Sequence, residues 1–208
     1  MSSVLSGAGG MGAPGLPYKI ACLCDLRDRE NRVLLLRRVK APNAGMLSPI
    51  GGKLDMHVGE SPTANAVREI HEEAGIEVPM ARLALAGMIS ETAFEGRSHW
   101  LIFYYRVLGA VEVRAQDTRE GRLEWFKPEE IEGLNLPESD RRIIWPLVRT
   151  HSAGYEAGEM ARPAFFSVHI DCSGKEMAWQ VEQSELATGA GAGMAWSEVE
   201  SMDARLAK

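Results

Sequence analysis

Residues 51–76 read GGKLDMHVGESPTANAVREIHEEAGI, and this stretch decides the fold of the chain. Ser61 followed by Pro62 is typical of a helix start, because serine caps free backbone amides and proline suits the first turn. Gly75 is typical of a helix end, since glycine adopts the left-handed backbone conformation without strain. The residues between them follow an apolar period, so the sequence predicts a helix over residues 62–74.

The two faces of this helix differ in character when residues are placed 100° apart. One face carries apolar residues that we expect to pack on a sheet, namely Ala64, Val67, Ile70 and Ala74. The opposite face carries Glu69, Glu72 and Glu73. Clustered carboxylates repel each other, so they favour a bound cation, and hard oxygen ligands suit Mg²⁺ or Mn²⁺. The spacing alone leaves a solvated acidic face as the alternative.

The stretch resembles the Nudix box, G-x5-E-x7-R-E-U-x-E-E-x-G-U, in which U is a bulky apolar residue. From Glu60 onward the match is complete, and the matched positions are Glu60, Arg68, Glu69, Ile70, Glu72, Glu73, Gly75 and Ile76. The front departs from the pattern, since seven residues rather than five separate Gly52 from Glu60, with the extra two near His57 and Val58. The resemblance extends over roughly residues 17–150 and implies the Nudix fold.

Nudix hydrolases cleave a nucleoside diphosphate linked to another group, by attack of an activated water on a bridging pyrophosphate phosphorus. The resemblance implies Mg²⁺ as the cofactor, with Mn²⁺ as a substitute. It also implies that Glu69 and Arg68 are catalytic, Arg68 because it can orient a carboxylate by a charge-assisted hydrogen bond. The metal ligands that it implies are Gly52 through its carbonyl, Glu60, Glu69, Glu72 and Glu73.

A general base is expected outside the box. In the bacterial 8-oxo-dGTP pyrophosphatases it is a glutamate on a loop just before a Glu-Trp pair. Here Glu120 precedes Glu124 and Trp125, one residue closer than in that group. We therefore expect Glu120 to be the base or an additional metal ligand, and an exposed turn glutamate is the alternative.

Substrate preference depends on residues outside the box. The proline and tyrosine markers of ADP-ribose and dinucleoside polyphosphate hydrolases are absent from residues 91–94. The segment before residue 140 is most similar to the nucleoside triphosphate group, where a side chain at the place of Asp140 reads the purine edge. An aspartate that only stabilises a helix N-terminus is the alternative. Lys53 is a candidate phosphate contact and Trp100 a candidate base contact, and each has a structural alternative as surface or core residue.

The predicted substrate is therefore a (d)NTP such as 8-oxo-dGTP, cleaved to the monophosphate and pyrophosphate. ADP-ribose or a nucleotide sugar is the alternative substrate. A non-catalytic nucleotide-binding Nudix module is a further alternative, but such modules usually lose box glutamates, and this chain keeps all of them.

Composition narrows the class of protein. A formal net charge of -6 over 208 residues argues against binding to polymeric nucleic acid, which needs many phosphate-neutralising cations. No apolar run approaches the ~18 residues of a membrane span, so no membrane partner is expected. The three cysteines form an odd set and are expected as free thiols in a reducing cytoplasm.

The order of the predicted elements indicates an α+β protein, a Nudix-type α/β/α sandwich with a mixed sheet. We expect a disordered tail over residues 1–16, a hydrolase domain over residues 17–150 and an extension over residues 151–208. Two strands at residues 18–26 and 33–38 are predicted to form a hairpin. In the extension we expect a β-hairpin over residues 164–183, packed on the core or on the partner chain of a homodimer, then a linker and a terminal helix.

Overall fold

The computed structural model describes residues 15–41, 43–152 and 161–186. Within these ranges the chain forms, in order, β1 (Tyr18–Asp25), β2 (Val33–Arg38), β3 (Leu47–Pro49), α1 (Pro62–Glu69), β4 (Leu83–Phe94), β5 (Ser98–Val107), β6 (Gly121–Phe126), α2 (Trp145–His151), β7 (Phe166–Asp171) and β8 (Ala178–Ser184). The predicted tail as far as residue 14, the linker and the terminal helix lie outside the described residues.

Two sheets share the core. The larger one is mixed and has the order β1-β5-β4-β7-β8, in which β1 is parallel to β5 and β7 is parallel to β4. The smaller one is antiparallel and has the order β3-β2-β6. With helices packed on these sheets, the predicted α+β sandwich is confirmed.

Strand β2 is buried on both faces, which explains its continuous apolar run. Val33 and Leu35 pack into a cluster with β4, β5 and α2. Leu34 and Leu36 point the other way and pack into a cluster with the helix after residue 61. Because successive side chains of a strand face opposite sides, β2 lies between the layer that contains α1 and the layer that contains α2.

The predicted hairpin between the first two strands is wrong. β1 pairs with β5 on one edge, and its other edge bonds to the loop at residues 50–54. The amide of Cys24 donates to the carbonyl of Ile50 at 2.7 Å, and the amide of Cys22 donates to that of Gly52 at 2.9 Å. Both edges of β1 are thereby occupied, so β2 pairs with β3 and β6 instead.

The predicted helix over residues 62–74 is formed by α1 together with the π-helical segment that follows it. The Ser61 hydroxyl accepts a hydrogen bond from the Ala64 amide at 3.2 Å, and Gly75 has a φ of 70°. The last turn, Ile70–Ala74, is π-helical, which a 100° wheel does not anticipate. A wider turn rotates the side chains that follow, so Glu73 is only 6% exposed and does not lie on a solvated face.

A helix near residue 140 forms in two parts. A π-helical turn, Asp140–Ile144, leads directly into α2. Pro146 lies at the start of α2 and has no amide hydrogen to donate to the carbonyls of the π-helical turn before it. The turn places Asp140 at the side of the sandwich that also holds the end of β4.

The predicted C-terminal hairpin is confirmed as β7 and β8, and it packs on the chain's own sheet. Strand β7 runs beside β4 and pairs Gly87 with Phe166 and Glu91 with Ile170. Phe166 is 1% exposed, and a Cβ added at Gly87 would collide with its ring. The hairpin therefore supports the middle of β4.

Candidate active site

Two glycines let the loop before α1 approach both β1 and the acidic residues of the helix. A Cβ added at Gly51 would collide with the carbonyl oxygen of Cys22, and a Cβ added at Gly52 would collide with the Glu69 carboxylate. The Gly51 amide donates a hydrogen bond to Oε2 of Glu73 at 3.1 Å. The loop backbone therefore lies directly against two of the box glutamates, and glycine is required for this approach.

Arg68 holds three carboxylates together. Its Nε and Nη2 donate to the two oxygens of Glu60 at 2.9 and 3.1 Å. Its Nη1 donates to Glu69 at 2.8 Å and to Glu72 at 3.1 Å. The hydrogen bonds from Arg68 lower the pKa of Glu60 to about 2. These contacts are the ones that the predicted orienting role of Arg68 requires.

The two extra residues in the loop leave Glu60 beside Arg68. Residues 56–59 form an outward turn, in which the Met56 and Val58 side chains are exposed. The Asp55 amide donates to Oε2 of Glu60 at 2.8 Å, and the Glu60 amide donates to the Asp55 carbonyl at 3.1 Å. The insertion is therefore absorbed as a solvent-facing turn that these two hydrogen bonds close.

Glu69 and Glu73 lie in surroundings that disfavour negative charge. Burial raises the pKa of Glu69, and Arg68 offsets part of this effect. Burial also raises the pKa of Glu73 to about 7, against the hydrogen bond from the Gly51 amide, and the charge of Glu69 adds to the rise. A cation bound beside these carboxylates would lower both pKa values.

A cavity of about 790 Å³ borders the acidic helix. Glu69, Glu72 and Glu73 line it, and Glu120 joins them from the turn before β6. The Glu120 carboxylate accepts a hydrogen bond from Nζ of Lys40 at 3.0 Å. The structure thus places Glu120, the predicted general base, in the same cavity as the box glutamates.

The three predicted substrate-binding residues also line this cavity. Nζ of Lys53 lies 6.0 Å from the ring centroid of Trp100, and Nζ of Lys19 lies 5.0 Å from it. Burial raises the pKa of Asp140 to about 7, and the charge of Glu91 adds to the rise. Asp140 also lies in the first turn of its helical segment, where the helix N-terminus by itself would lower the pKa of an aspartate.

Comparison with models of known protein families identifies the family of this chain. The family model for the NUDIX domain matches residues 17–147, which is more than half of the chain. The chain belongs to the Nudix family. The solved structure of a MutT protein from Bacillus halodurans superimposes on this Nudix chain with a TM-score of 0.57 and 26% identity, over 79% of this chain and 97% of that one. A MutT protein from Methanosarcina mazei gives a TM-score of 0.53 and 28% identity, over 61% and 90%.

Characterised relatives of this Nudix chain include the mouse diphosphoinositol polyphosphate phosphohydrolase 3-alpha. The two are 34% identical over 118 residues, which is 56% of this chain and 67% of the mouse protein. The human 3-beta enzyme is 33% identical over the same length. The chain is therefore a Nudix hydrolase acting on phosphoric anhydride bonds. Among the helices that the structure describes, none is long and apolar enough to cross a membrane.

The acidic helix of this Nudix hydrolase has the donor chemistry for a divalent cation, which Nudix hydrolases generally use. Within the described ranges no three carboxylate, imidazole or thiol side chains already converge as a ligand set, and Arg68 bonds to three of the carboxylates instead. The Gly52 carbonyl accepts from the Cys22 amide and keeps one lone pair for a ligand. The hard oxygen donors fit Mg²⁺.

The sequence alone does not single out Glu91 as a site residue. Glu91 is 3% exposed and lines the cavity together with Asp140. The feature that could identify Glu91 is the alternation of buried and partly exposed residues along β4. This alternation places Ile89, Glu91 and Ala93 on the same buried side. A carboxylate at an inward position is rare, so the alternation marks it once the strand is known.

Proposed function

We propose that this chain is a Mg²⁺-dependent pyrophosphohydrolase of a purine nucleoside triphosphate, such as dGTP or 8-oxo-dGTP. The observation that carries the proposal is one cavity with two chemically different ends. The acidic end holds the box glutamates and Glu120. The base end, defined as Glu91, Trp100, Ser139 and Asp140, holds an aromatic ring and polar side chains. A nucleotide has the same division into phosphates and base.

The residues of the acidic end position and activate water. The water oxygen attacks one of the two phosphorus atoms, α or β, that flank the α–β bridging oxygen, the bond from that phosphorus to this oxygen breaks, and a water proton passes to the Glu120 carboxylate. The products are the nucleoside monophosphate and pyrophosphate. Glu69, Glu72, Glu73, Glu60 and the Gly52 carbonyl would hold Mg²⁺, which supplies positive charge to the phosphate oxygens. Arg68 keeps the carboxylates of Glu60, Glu69 and Glu72 oriented.

Phosphates near the cavity also meet basic side chains. Arg38, Lys53 and Arg119 line it, and Lys53 is exposed at the end of the glycine loop. A lysine at this place can contact a phosphate as a point charge. The proposed contact of Lys53 with phosphate and of Trp100 with the base agrees with their positions in one cavity.

A second candidate substrate comes from the relatives, whose names include a diphosphoinositol polyphosphate. The base end disfavours it, because Glu91 and Asp140 line that end and, unlike Glu69, Glu72 and Glu73, would hold no Mg²⁺ to offset their charge. Several phosphates beyond the scissile diphosphate would have to enter this acidic surface. A neutral base would not meet that repulsion.

The test is a substrate panel with Mg²⁺, resolved by chromatography. The panel contains dGTP, 8-oxo-dGTP, the other dNTPs, ADP-ribose, a nucleotide sugar and a diphosphoinositol polyphosphate. We expect a monophosphate and pyrophosphate from a purine triphosphate with the highest kcat/KM. Cleavage confined to ADP-ribose, the nucleotide sugar or the inositol compound would overturn the proposed substrate.

A further inference from the structure

Glu91 is a buried acid with an unused acceptor at the base end. It lies in β4 and is 3% exposed, and its Oε1 has no hydrogen-bond partner among the described residues. An unpaired buried acceptor is unfavourable, and more so when it is charged. Because the residue lines the cavity, a ligand there can supply the missing partner.

The backbone of Glu91 is fixed from both sides. In the sheet it pairs with Trp100 of β5 and with Ile170 of β7. The Cys172 amide donates to the Thr92 carbonyl at 2.9 Å, which secures the next residue of β4. The C-terminal hairpin therefore holds the backbone of Glu91 in place.

Glu91 is coupled to Asp140. Both line the same end of the cavity, and the side chain of Ser139 bonds to Glu91. Burial raises the pKa of Glu91, and burial together with the charge on Glu91 raises the pKa of Asp140 to about 7. Two neighbouring acids do not both ionise readily, so the pair favours keeping one proton.

We infer that Glu91 acts with Asp140 to recognise the nucleobase of the substrate. The two side chains would bind a purine edge on which an N–H donor lies beside an acceptor. One acid of the pair is protonated and donates its O–H to the acceptor, such as a purine carbonyl. The ionised acid accepts from the neighbouring N–H groups. The inference rests on the proposed function, because it assigns the base end of the same cavity to the base of the nucleotide.

The kinetic test compares two substrates in two variants. Glu91→Gln preserves size but removes the carboxylate, and Glu95→Gln changes an exposed glutamate four residues away as the matched control. The substrates are dGTP and the deoxyribonucleoside triphosphate of unsubstituted purine, which has neither the carbonyl nor the N–H groups. Loss of a hydrogen bond to a charged group is worth about 1.5–3 kcal/mol, so Glu91→Gln should lower kcat/KM for dGTP about 10- to 100-fold.

The purine analogue separates recognition from a structural effect. With the purine analogue, the kcat/KM of Glu91→Gln should stay within about twofold of the wild-type value. The analogue does not form the contact that the substitution removes. Glu95→Gln should match the wild type on both substrates. An equal fall on both substrates in Glu91→Gln would make Glu91 a structural residue and overturn the inference, as would an unchanged value for dGTP.

A binding measurement separates this inference from the proposed reaction. Guanosine, which has no phosphate, is titrated calorimetrically into the full chain without a divalent cation. Binding that weakens in Glu91→Gln but not in Glu95→Gln supports the inference, even if no triphosphate is hydrolysed and the proposed reaction fails. Hydrolysis of dGTP with guanosine binding unaltered in Glu91→Gln would keep the reaction and overturn the inference. Neither binding nor hydrolysis in the wild type would overturn both.

Discussion

Glu69 combines burial, negative charge and contact with the glycine loop in a single residue. Its carboxylate accepts from Arg68 and lies against the backbone of Gly52. We expect Glu69→Gln to lower kcat about 100- to 1,000-fold, the loss typical of removing one electrostatic group from a reaction centre. The measurement is Mg²⁺-dependent release of pyrophosphate, with the exposed Glu77→Gln as control. Unchanged hydrolysis in Glu69→Gln would remove this residue from the proposed metal site.

Gly52 offers a test of the same place that leaves every carboxylate intact. Gly52→Ala introduces a Cβ that collides with the Glu69 carboxylate, so that carboxylate must move away from the loop. We expect kcat/KM to fall at least about 100-fold, since small displacements in a reaction centre have effects of this size. Gly133→Ala, where an added Cβ meets nothing within 4 Å, should leave kcat/KM unchanged. Equal activity in the two variants would show that the close approach of Gly52 to Glu69 is unimportant.

Asp140 should make the stability of the fold depend on pH. Its pKa is raised from 3.8 to about 7 by burial and by Glu91, so between these values the folded state binds more protons than the unfolded state. The free energy of unfolding therefore falls as pH rises through this window. Asp140→Asn removes the effect and should have a higher Tm than the wild type above pH 7, with the difference closing toward pH 4.

Thermal unfolding between pH 4 and pH 8 measures this difference, and each kcal/mol corresponds to about 2–4 °C at this chain length. Asp117→Asn changes an exposed aspartate whose side chain is 82% accessible and serves as control. A Tm difference between Asp140→Asn and the wild type that does not vary with pH would contradict the raised pKa of Asp140.

For individual residues, the sequence predicts more of the acidic end of the cavity than of the base end. The box residues are close in sequence, so one helix and one loop bring them together. Glu120 and Asp140 are found through the family resemblance. Glu91 depends on the inward side of β4 and on its approach to Asp140, which are 49 positions apart in the chain. Local pattern cannot specify that approach.

Elements are predicted well where local signals set their limits. Ser61 and Gly75 fix the ends of the helix because a cap and a left-handed residue act locally. The predicted pairing of β1 with β2 is wrong because two adjacent apolar segments in the sequence favour a hairpin. Hydrogen bonds between β1 and residues 50–54 occupy the edge that the hairpin would need. No motif in the sequence predicts the π-helical turn at Ile70–Ala74, because this turn depends on how the helix packs.

The C-terminal hairpin should contribute strongly to stability. Phe166 is 1% exposed and its ring packs against Gly87 of β4, with the Tyr104 ring at 6.5 Å. We expect Phe166→Ala to lower the free energy of unfolding by about 3–5 kcal/mol, as for other buried phenylalanines. Urea unfolding measures this loss, and Gln180→Ala, on the exposed side of β8, is the control. A loss no larger in Phe166→Ala than in Gln180→Ala would mean that the hairpin is not docked on β4.

The whole molecule brings distant segments to one cavity. The glycine loop and the helix supply one end, the turn before β6 supplies Glu120, and β4 with the turn at Asp140–Ile144 supplies the other end. The two-layered packing around β2 keeps these segments at fixed positions. The division of the cavity into an acidic end and a base end therefore belongs to the tertiary fold and to no single motif.

This division predicts how the molecule responds to a polyanion. Inositol hexakisphosphate carries phosphates on every side, so part of it would lie against Glu91 and Asp140 wherever it bound in the cavity. Like charges at short range repel, and more strongly where water is excluded. We expect inositol hexakisphosphate to inhibit dGTP hydrolysis with an inhibition constant at least about tenfold above the KM for dGTP, a gap of about 1.4 kcal/mol.

The assay must hold the free Mg²⁺ concentration constant, because inositol hexakisphosphate binds Mg²⁺ and would otherwise lower the rate indirectly. In Glu91→Gln with Asp140→Asn, two of the six acidic residues of the cavity become neutral, so inhibition should become stronger than in the wild type. Competitive inhibition of the wild type near the KM for dGTP would contradict the electrostatic exclusion. It would favour instead an inositol polyphosphate substrate of the kind in the names of the mouse and human relatives.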